Sequence, residues 1–276
     1  MLRWKEERQG ETALLIEGAR RIGKSTIVEE FAKNEYSSYI LVDFSKTATE
    51  INDLFNDLSD LNYIFLRLQL NYNVSLKERK SLIIFDEVQN NPKARQALKH
   101  LVKDHRYDYI ETGSLISIRK NVQNIIIPSE ETRITMHPMD FEEFRWAMGD
   151  NVSFTLLKTV LEQKQPLGEA IHRKLMRDFR LYMLVGGMPQ AVDKYIKTNN
   201  LSAVDTVKRD IIALYEEDLR KIDTSGKATA MFDAIPSQLS KNASRYTIST
   251  VIPGEKQDRI SDIVQLMEES RVANTA

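Results

Sequence analysis

The chain has 276 residues, enough for roughly one large domain or two to three small ones. Its 42% hydrophobic and 29% charged residues are ordinary globular usage and exclude a disordered, collagen-like or coiled-coil chain. Thirty-nine Lys and Arg against 40 Asp and Glu leave a net charge of −1, so no global field draws in DNA or an acidic membrane, and zero Cys excludes disulfide scaffolds, thiolate zinc sites and thiol catalysis.

Residues 1–145 alternate short apolar strands with longer helical patterns, the signature of a parallel sheet with crossover helices. Strands are predicted at 12–17, 38–44, 81–85, 107–112 and 133–137, with helices at 25–34, across 47–70 and at 94–103. The 47–70 stretch places Ile51, Leu54, Phe55, Leu58, Leu61, Ile64 and Leu68 at helical spacing. Together these elements make an α/β fold, a three-layer sandwich with a parallel sheet. From Phe141 onward strand signals fade, and helices are predicted at 141–148, 168–185 and 201–222, with a break at 186–189 (GGMP). Beyond Ser225 and Gly226, helices at 227–239 and 259–269 flank a β-like run at 246–253, a partial winged-helix-like segment. The expected domains are therefore a core at 1–145, a helical module at 146–224 and the winged-helix-like segment at 225–276. No run approaches the ~18 apolar residues of a membrane helix, and the N-terminal MLRWKEERQGE lacks the apolar core of a signal peptide. A soluble cytoplasmic protein without a membrane partner is expected.

Residues 18–25, GARRIGKS, match G-x-x-x-x-G-K-[ST] between a predicted strand and a predicted helix. Two glycines let successive N–H groups point into one concavity that fits an anion, and the helix adds its positive N-terminal end. Gly18, Ala19, Arg20, Arg21, Ile22, Gly23, Lys24, Ser25 and Thr26 are the expected phosphate and nucleotide contacts. Lys24 would reach the β- and γ-phosphates and Ser25 would ligate Mg²⁺. The apolar strand at 81–85 runs into Asp86 and Glu87. Asp86 would hold Mg²⁺ and Glu87 would orient and deprotonate the attacking water. The fourth strand, lying between the first and third, ends in Thr112, Gly113 and Ser114. Thr112 or Ser114 could sense phosphate or water there, and a plain Thr-Gly-Ser turn is the other reading. A strand between the loop and the acidic pair points to ATPases with a catalytic glutamate. No [NT]-K-x-D guanine motif occurs, and the lone D-x-x-G, from Asp223 to Gly226, comes too late in the chain, so ATP is the expected nucleotide.

With those motifs in place the sequence resembles the bacterial and archaeal AAA-type ATPases in which a P-loop core precedes a helical module, a winged helix and a C-terminal domain of unknown function. The stretches EGARRIGKS (17–25), IIFDEVQ (83–89), TGS (112–114), PMDFEEF (138–144), VGGMP (185–189) and residues 215–218 carry the resemblance. It implies ATP binding and hydrolysis. Members of that family continue into a nuclease-like domain, and a chain ending at Ala276 is expected to be a fragment or truncated product without it.

Residues 201–276 hold 10 Lys and Arg against 12 Asp and Glu, and a DNA-reading winged helix carries a basic face. Near the candidate recognition helix Lys256, Arg259 and Arg271 face Glu255, Asp258, Asp262, Glu268 and Glu269. A protein partner or a second copy is therefore expected ahead of DNA. Arg119 and Arg133 are candidate arginine fingers. Trp4 is expected in the core, with adenine stacking as the alternative, and Phe141, Phe144 and Trp146 are expected to pack between sheet and helical module. His100, His105, His137 and His172 lack metal-binding spacing. The reading is an ATP-binding, Mg²⁺-dependent hydrolase acting as a nucleotide-driven switch that binds ATP and ADP. Its rival is a nucleotide-stabilised binding module that recognises a protein or DNA without turnover.

Overall fold

The computed structural model describes residues 1–114, 130–240, 246–254, 261, 264 and 265. The chain divides into two compact units, Met1–Met136 with Asp218–Ala276, and His137–Glu217.

In the first unit the elements are α1 (Leu2–Arg8), β1 (Ala13–Gly18), α2 (Lys24–Glu35), β2 (Ser38–Asp43), α3 (Thr49–Asp53), α4 (Leu61–Tyr72), β3 (Ser81–Asp86), α5 (Pro92–Lys103), β4 (Asp108–Ser114) and β5 (Glu131–Met136). The five strands form one parallel sheet in the order β2-β3-β4-β1-β5. Every residue of β3 is buried, because a strand covered by helices on both faces carries an unbroken apolar run. Its side chains alternate between two cores. Leu82 and Ile84 join Leu14, Ile16, Ile110, Val28, Phe31 and Trp4 on one face, while Ile83 and Phe85 join Ile40, Val42, Ile51, Ile64, Leu98 and Tyr109 on the other. The sheet is thus the middle layer of three. Trp4 belongs to the core: it is 4% exposed, and its indole N–H donates to Thr12 Oγ1 at 3.2 Å.

The helical stretch expected across 47–70 is broken in two. The Asp57 carboxylate accepts the Ser59 N–H (2.9 Å) and Asp60 accepts the Tyr63 N–H (3.1 Å), capping α4 and taking up backbone donors that a continuous helix would use.

Beyond α10 (Leu201–Ile222), which begins in the second unit, the first unit regains α11 (Lys227–Leu239) and a 3₁₀ turn at Ile248–Thr250. The β-like run expected at 246–253 is therefore not a strand. Gln238 accepts the Thr247 N–H (3.3 Å) and donates to Thr250 Oγ1 (3.0 Å), while Thr250 Oγ1 donates back to the Thr247 carbonyl (2.7 Å). These local bonds occupy groups that a ladder would need. Of the helix expected at 259–269, only residues 261, 264 and 265 are described, and they are helical.

The second unit holds α6 (Phe141–Ala147), α7 (Ser153–Glu162), α8 (Glu169–Val185), α9 (Pro189–Thr198) and most of α10. Asp140 and Glu143 form a capping box that starts α6, accounting for the PMDFEEF stretch: Glu143 N–H donates to Asp140 Oδ1 (2.8 Å) and Asp140 N–H to Glu143 Oε2 (3.0 Å). The break at 186–189 is real but short, because Pro189 opens α9 as its first residue. Phe141 packs edge-on against Phe154 and Phe179, and Phe144 against Tyr182, so both serve the unit's own core, while Trp146 is half exposed.

Candidate functional site

The sheet order brings the carboxyl ends of β3, β4 and β1 side by side, and with them the acidic pair, the Thr-Gly-Ser end and the glycine loop. Such an edge is where open parallel sheets bind ligands. Gly18 lies in register with Ser114 on one side and Met136 on the other. A Cβ there would stand 2.4 Å from the Met136 carbonyl oxygen, so only glycine lets β1 leave the sheet at this point. Gly23 sits at φ 92°, a left-handed conformation open to glycine, and turns the chain into α2. Arg21 precedes it, also left-handed (φ 68°). The loop thus ends on the N–H groups of a 12-residue helix, whose dipole favours an anion.

Lys24, the first residue of α2, is 5% exposed and folds back over the loop, donating to the Gly18 carbonyl (3.2 Å) and the Ala19 carbonyl (2.8 Å). Burial pushes its ammonium below the usual lysine range, opposed by the nearby Glu87 and Asp86 carboxylates and reinforced by Arg20. An ammonium lacking full hydration gains strongly from an anion placed beside it.

Three elements meet on one carboxylate. Ser25 Oγ of α2 donates to Asp86 Oδ1 at 2.7 Å, and Thr112 Oγ1 of β4 donates to the same oxygen. Thr112 Oγ1 also accepts the Glu87 N–H at 3.4 Å. Glu87 adopts the left-handed conformation (φ 53°, ψ 45°) and leads into a 3₁₀ turn at Val88–Asn90. Its carboxylate receives the Gln89 side-chain amide. Lys24, Ser25, Asp86, Glu87 and Thr112 are therefore gathered at one place. Ser114 is buried in the sheet beside Gly18, and Ala19 and Ile22 are buried as well. Thr26 and Arg21 are exposed.

Arg20 is turned toward α10: its Nη1 donates to Asp218 Oδ1 at 3.0 Å, and the Lys221 ammonium stands 3.6 Å from the same oxygen. Asp218 is 7% exposed. Arg133 lies in mid-strand on β5, ion-paired with Glu131 at 2.6 Å, and Arg119 lies outside the described residues. His105 Nδ1 is 2.9 Å from the Gly10 carbonyl oxygen, a structural contact. Among the described residues no group of three or more His, Asp or Glu side chains could hold a metal, and no helix is long and apolar enough to cross a membrane. Gln89 and Asp218 lie within stretches that carry the family resemblance, but their residue types and spacing assign neither a role. Gln89's position next to the acidic pair was the available signal, and Asp218's contact with the loop spans 198 residues.

Residues 10–145 match the family model described as "AAA domain", and residues 176–276 match the "Domain of unknown function (DUF8612)". The phosphate loop, the sheet order and this match define an α/β P-loop fold and support nucleotide binding in general. Residues 10–145 are thus similar to AAA domains, and residues 176–276 to a domain of unknown function. No curated protein matches it. Solved structures similar to it include PCH-2 of C. elegans, at 12% identity and TM-score 0.39, over 74% of this chain and 62% of that one. The chain thus spans less than two thirds of the length of PCH-2. Another is the Aeropyrum pernix ORC1 protein in complex with DNA, at 14% identity and TM-score 0.37, over 95% of this chain and 78% of that one.

Proposed function

We propose that the chain binds Mg·ATP at residues 18–26 and hydrolyses it, and that the nucleotide state is read through Arg20. The carrying observation is the junction at Asp86, where one carboxylate oxygen takes both the Ser25 and the Thr112 hydroxyl while the next residue presents Glu87. A hydroxyl and a carboxylate 2.7 Å apart are hard oxygen donors of the kind Mg²⁺ takes alongside phosphate oxygens, so Ser25 and Asp86 fit that ion. When bound it would neutralise charge developing on the β- and γ-phosphates.

The chain's own residues supply the rest. The loop N–H groups and the start of α2 cradle the phosphates. Lys24 exchanges its two carbonyl acceptors for phosphate oxygens. Glu87 accepts a proton from the water that attacks the γ-phosphorus, as the bond from that phosphorus to the ADP oxygen breaks and ADP leaves with the electron pair. Thr112, linked to both Asp86 and Glu87, ties the position of the base to the metal-side carboxylate. Arg20 lies in the phosphate loop yet is held by Asp218, so a phosphate in the loop competes with that carboxylate for the same guanidinium. Loss of the Arg20–Asp218 pair on ATP binding would carry the nucleotide state to α10. A cytoplasmic location suits a chain with zero Cys.

Glu87→Gln keeps the shape of the side chain and removes the base. ATP affinity is expected to be retained and turnover, followed by phosphate release, to fall by roughly 10²–10⁴-fold. Equal turnover in the variant would refute the base assignment. Tight ATP binding by the parent with no turnover would favour the binding-module reading.

A further inference from the structure

We propose that Gln89 is a positioning residue for hydrolysis, setting the orientation of the Glu87 carboxylate toward the attacking water; this rests on the hydrolytic reading above. Glu87 leaves β3 in a left-handed conformation, and its side chain has several rotatable bonds with which to wander. Gln89 removes that freedom. It is 7% exposed, sits two residues on in the 3₁₀ turn, and folds back so that Nε2 donates to Glu87 Oε2. Among the described residues no donor holds the other oxygen, Oε1, which is left to accept the water's proton. A carboxamide suits this task because it directs a carboxylate without neutralising it. A Lys or Arg in the same place would weaken the base.

The turn itself does not depend on this side chain. It is closed by backbone bonds, Asn90 N–H to the Glu87 carbonyl (3.0 Å) and Asn91 N–H to the Val88 carbonyl (3.0 Å), and anchored by the fully buried Val88. The amide can therefore be removed with the backbone bonds of the turn intact, and the Glu87 carboxylate loses the donor that orients it. A displaced general base lowers the chemical step and spares ground-state binding, so the effect belongs in kcat.

The test compares the parent, Gln89→Leu, Glu87→Gln and the double variant, measuring ATP turnover by phosphate release and ATP affinity by titration with a fluorescent ATP analogue. Gln89→Leu is expected to lower kcat by about 10- to 100-fold while affinity stays within about twofold. In the double variant it is expected to add nothing to the loss caused by Glu87→Gln if its catalytic effect runs through that carboxylate. A packing role would weaken affinity and lower activity in both backgrounds. Gln89→Leu as fast as the parent or faster, or a double variant slower than Glu87→Gln alone, overturns the assignment. Gln89→Met, close in length and lacking the donor, carries the same test if the Leu variant does not fold. A parent without turnover, or a Glu87→Gln variant with full turnover, refutes the hydrolytic reading itself, and the Gln89 assignment falls with it.

Discussion

Glu111 is fully buried in β4, immediately before Thr112, and shares its surroundings with a second carboxylate and one guanidinium. Arg95, 1% exposed on α5, places Nε 3.5 Å from Glu111 Oε2 and Nη2 2.9 Å from Glu131 Oε2. Burial, and next the negative charge of Glu131, push the Glu111 carboxyl well above its ordinary 4.5, with Arg95 opposing. A raised carboxyl means that the folded chain holds a proton the unfolded chain releases. The associated stability is fully present below pH 4.5 and is lost as pH rises toward the folded value. Glu111→Gln keeps the shape and removes this titration. Its stability relative to the parent is therefore expected to improve between about pH 5 and pH 7.5, as read by urea denaturation at both values. A difference that stays flat with pH would mean Glu111 is ionised in the fold at no cost. The site lies one residue from this cluster, so the pair of acids and Arg95 fix the strand that presents Thr112.

Among the helices, the second unit depends on Arg145. This α6 residue is 4% exposed, and its guanidinium joins Asp178 of α8, Asp150, and Ser153 Oγ (3.3 Å) at the start of α7. The Ser153 hydroxyl, then its backbone N–H, and the Arg145 guanidinium hold Asp150 well below the usual carboxylate range. Arg145→Ala leaves Asp150 without its cation and Asp178 with only the more distant Arg177, 3.8 Å away. A loss of about 2–4 kcal/mol is expected, visible as faster hydrogen exchange in α6, α7 and α8 with the first unit unaffected. Unchanged exchange would mean that the ring contacts of Phe141 and Phe144 suffice. This hub shows why some elements could be read from the sequence and others could not. The strand at Ser81–Asp86 and the loop before α2 carry local signatures: an unbroken apolar run, and glycines at fixed spacing. Helix α7 carries Phe154, Leu157, Val160 and Leu161 at helical spacing but buries none of them, and α1 spans only seven residues with Trp4 alone buried, so each signal is weak. The Ile-Ser-Thr-Val run after Tyr246 has strand propensity, but Gln238 supplies local bonds instead of a ladder. In the site, the types and spacing of Lys24, Ser25, Asp86 and Glu87 were legible. Gln89's turn-back and Asp218's contact with Arg20 depend on the folded path of the chain, which no motif encodes.

For the whole molecule the decisive quantity is how much of the binding energy appears as stability. The first unit holds a poorly hydrated ammonium at Lys24 and ties Arg20 to Asp218, and in the proposed mechanism both arrangements change when phosphates enter the loop. Ligand at ~100-fold over Kd adds about 2.7 kcal/mol to a folded state that alone binds it. For a chain of this size that corresponds to a rise in Tm of roughly 5 °C or more. Mg·ATP is expected to produce this rise, GTP a smaller one, and Lys24→Ala to abolish it. Asp218→Asn discriminates further. If ATP must break the Arg20–Asp218 pair, the parent loses part of its binding energy to that rupture, and the variant shows a larger ATP-induced rise from a lower or equal starting Tm. A smaller rise would mean that Asp218 helps to build the nucleotide site, and the switch would then have to run through another residue of the loop.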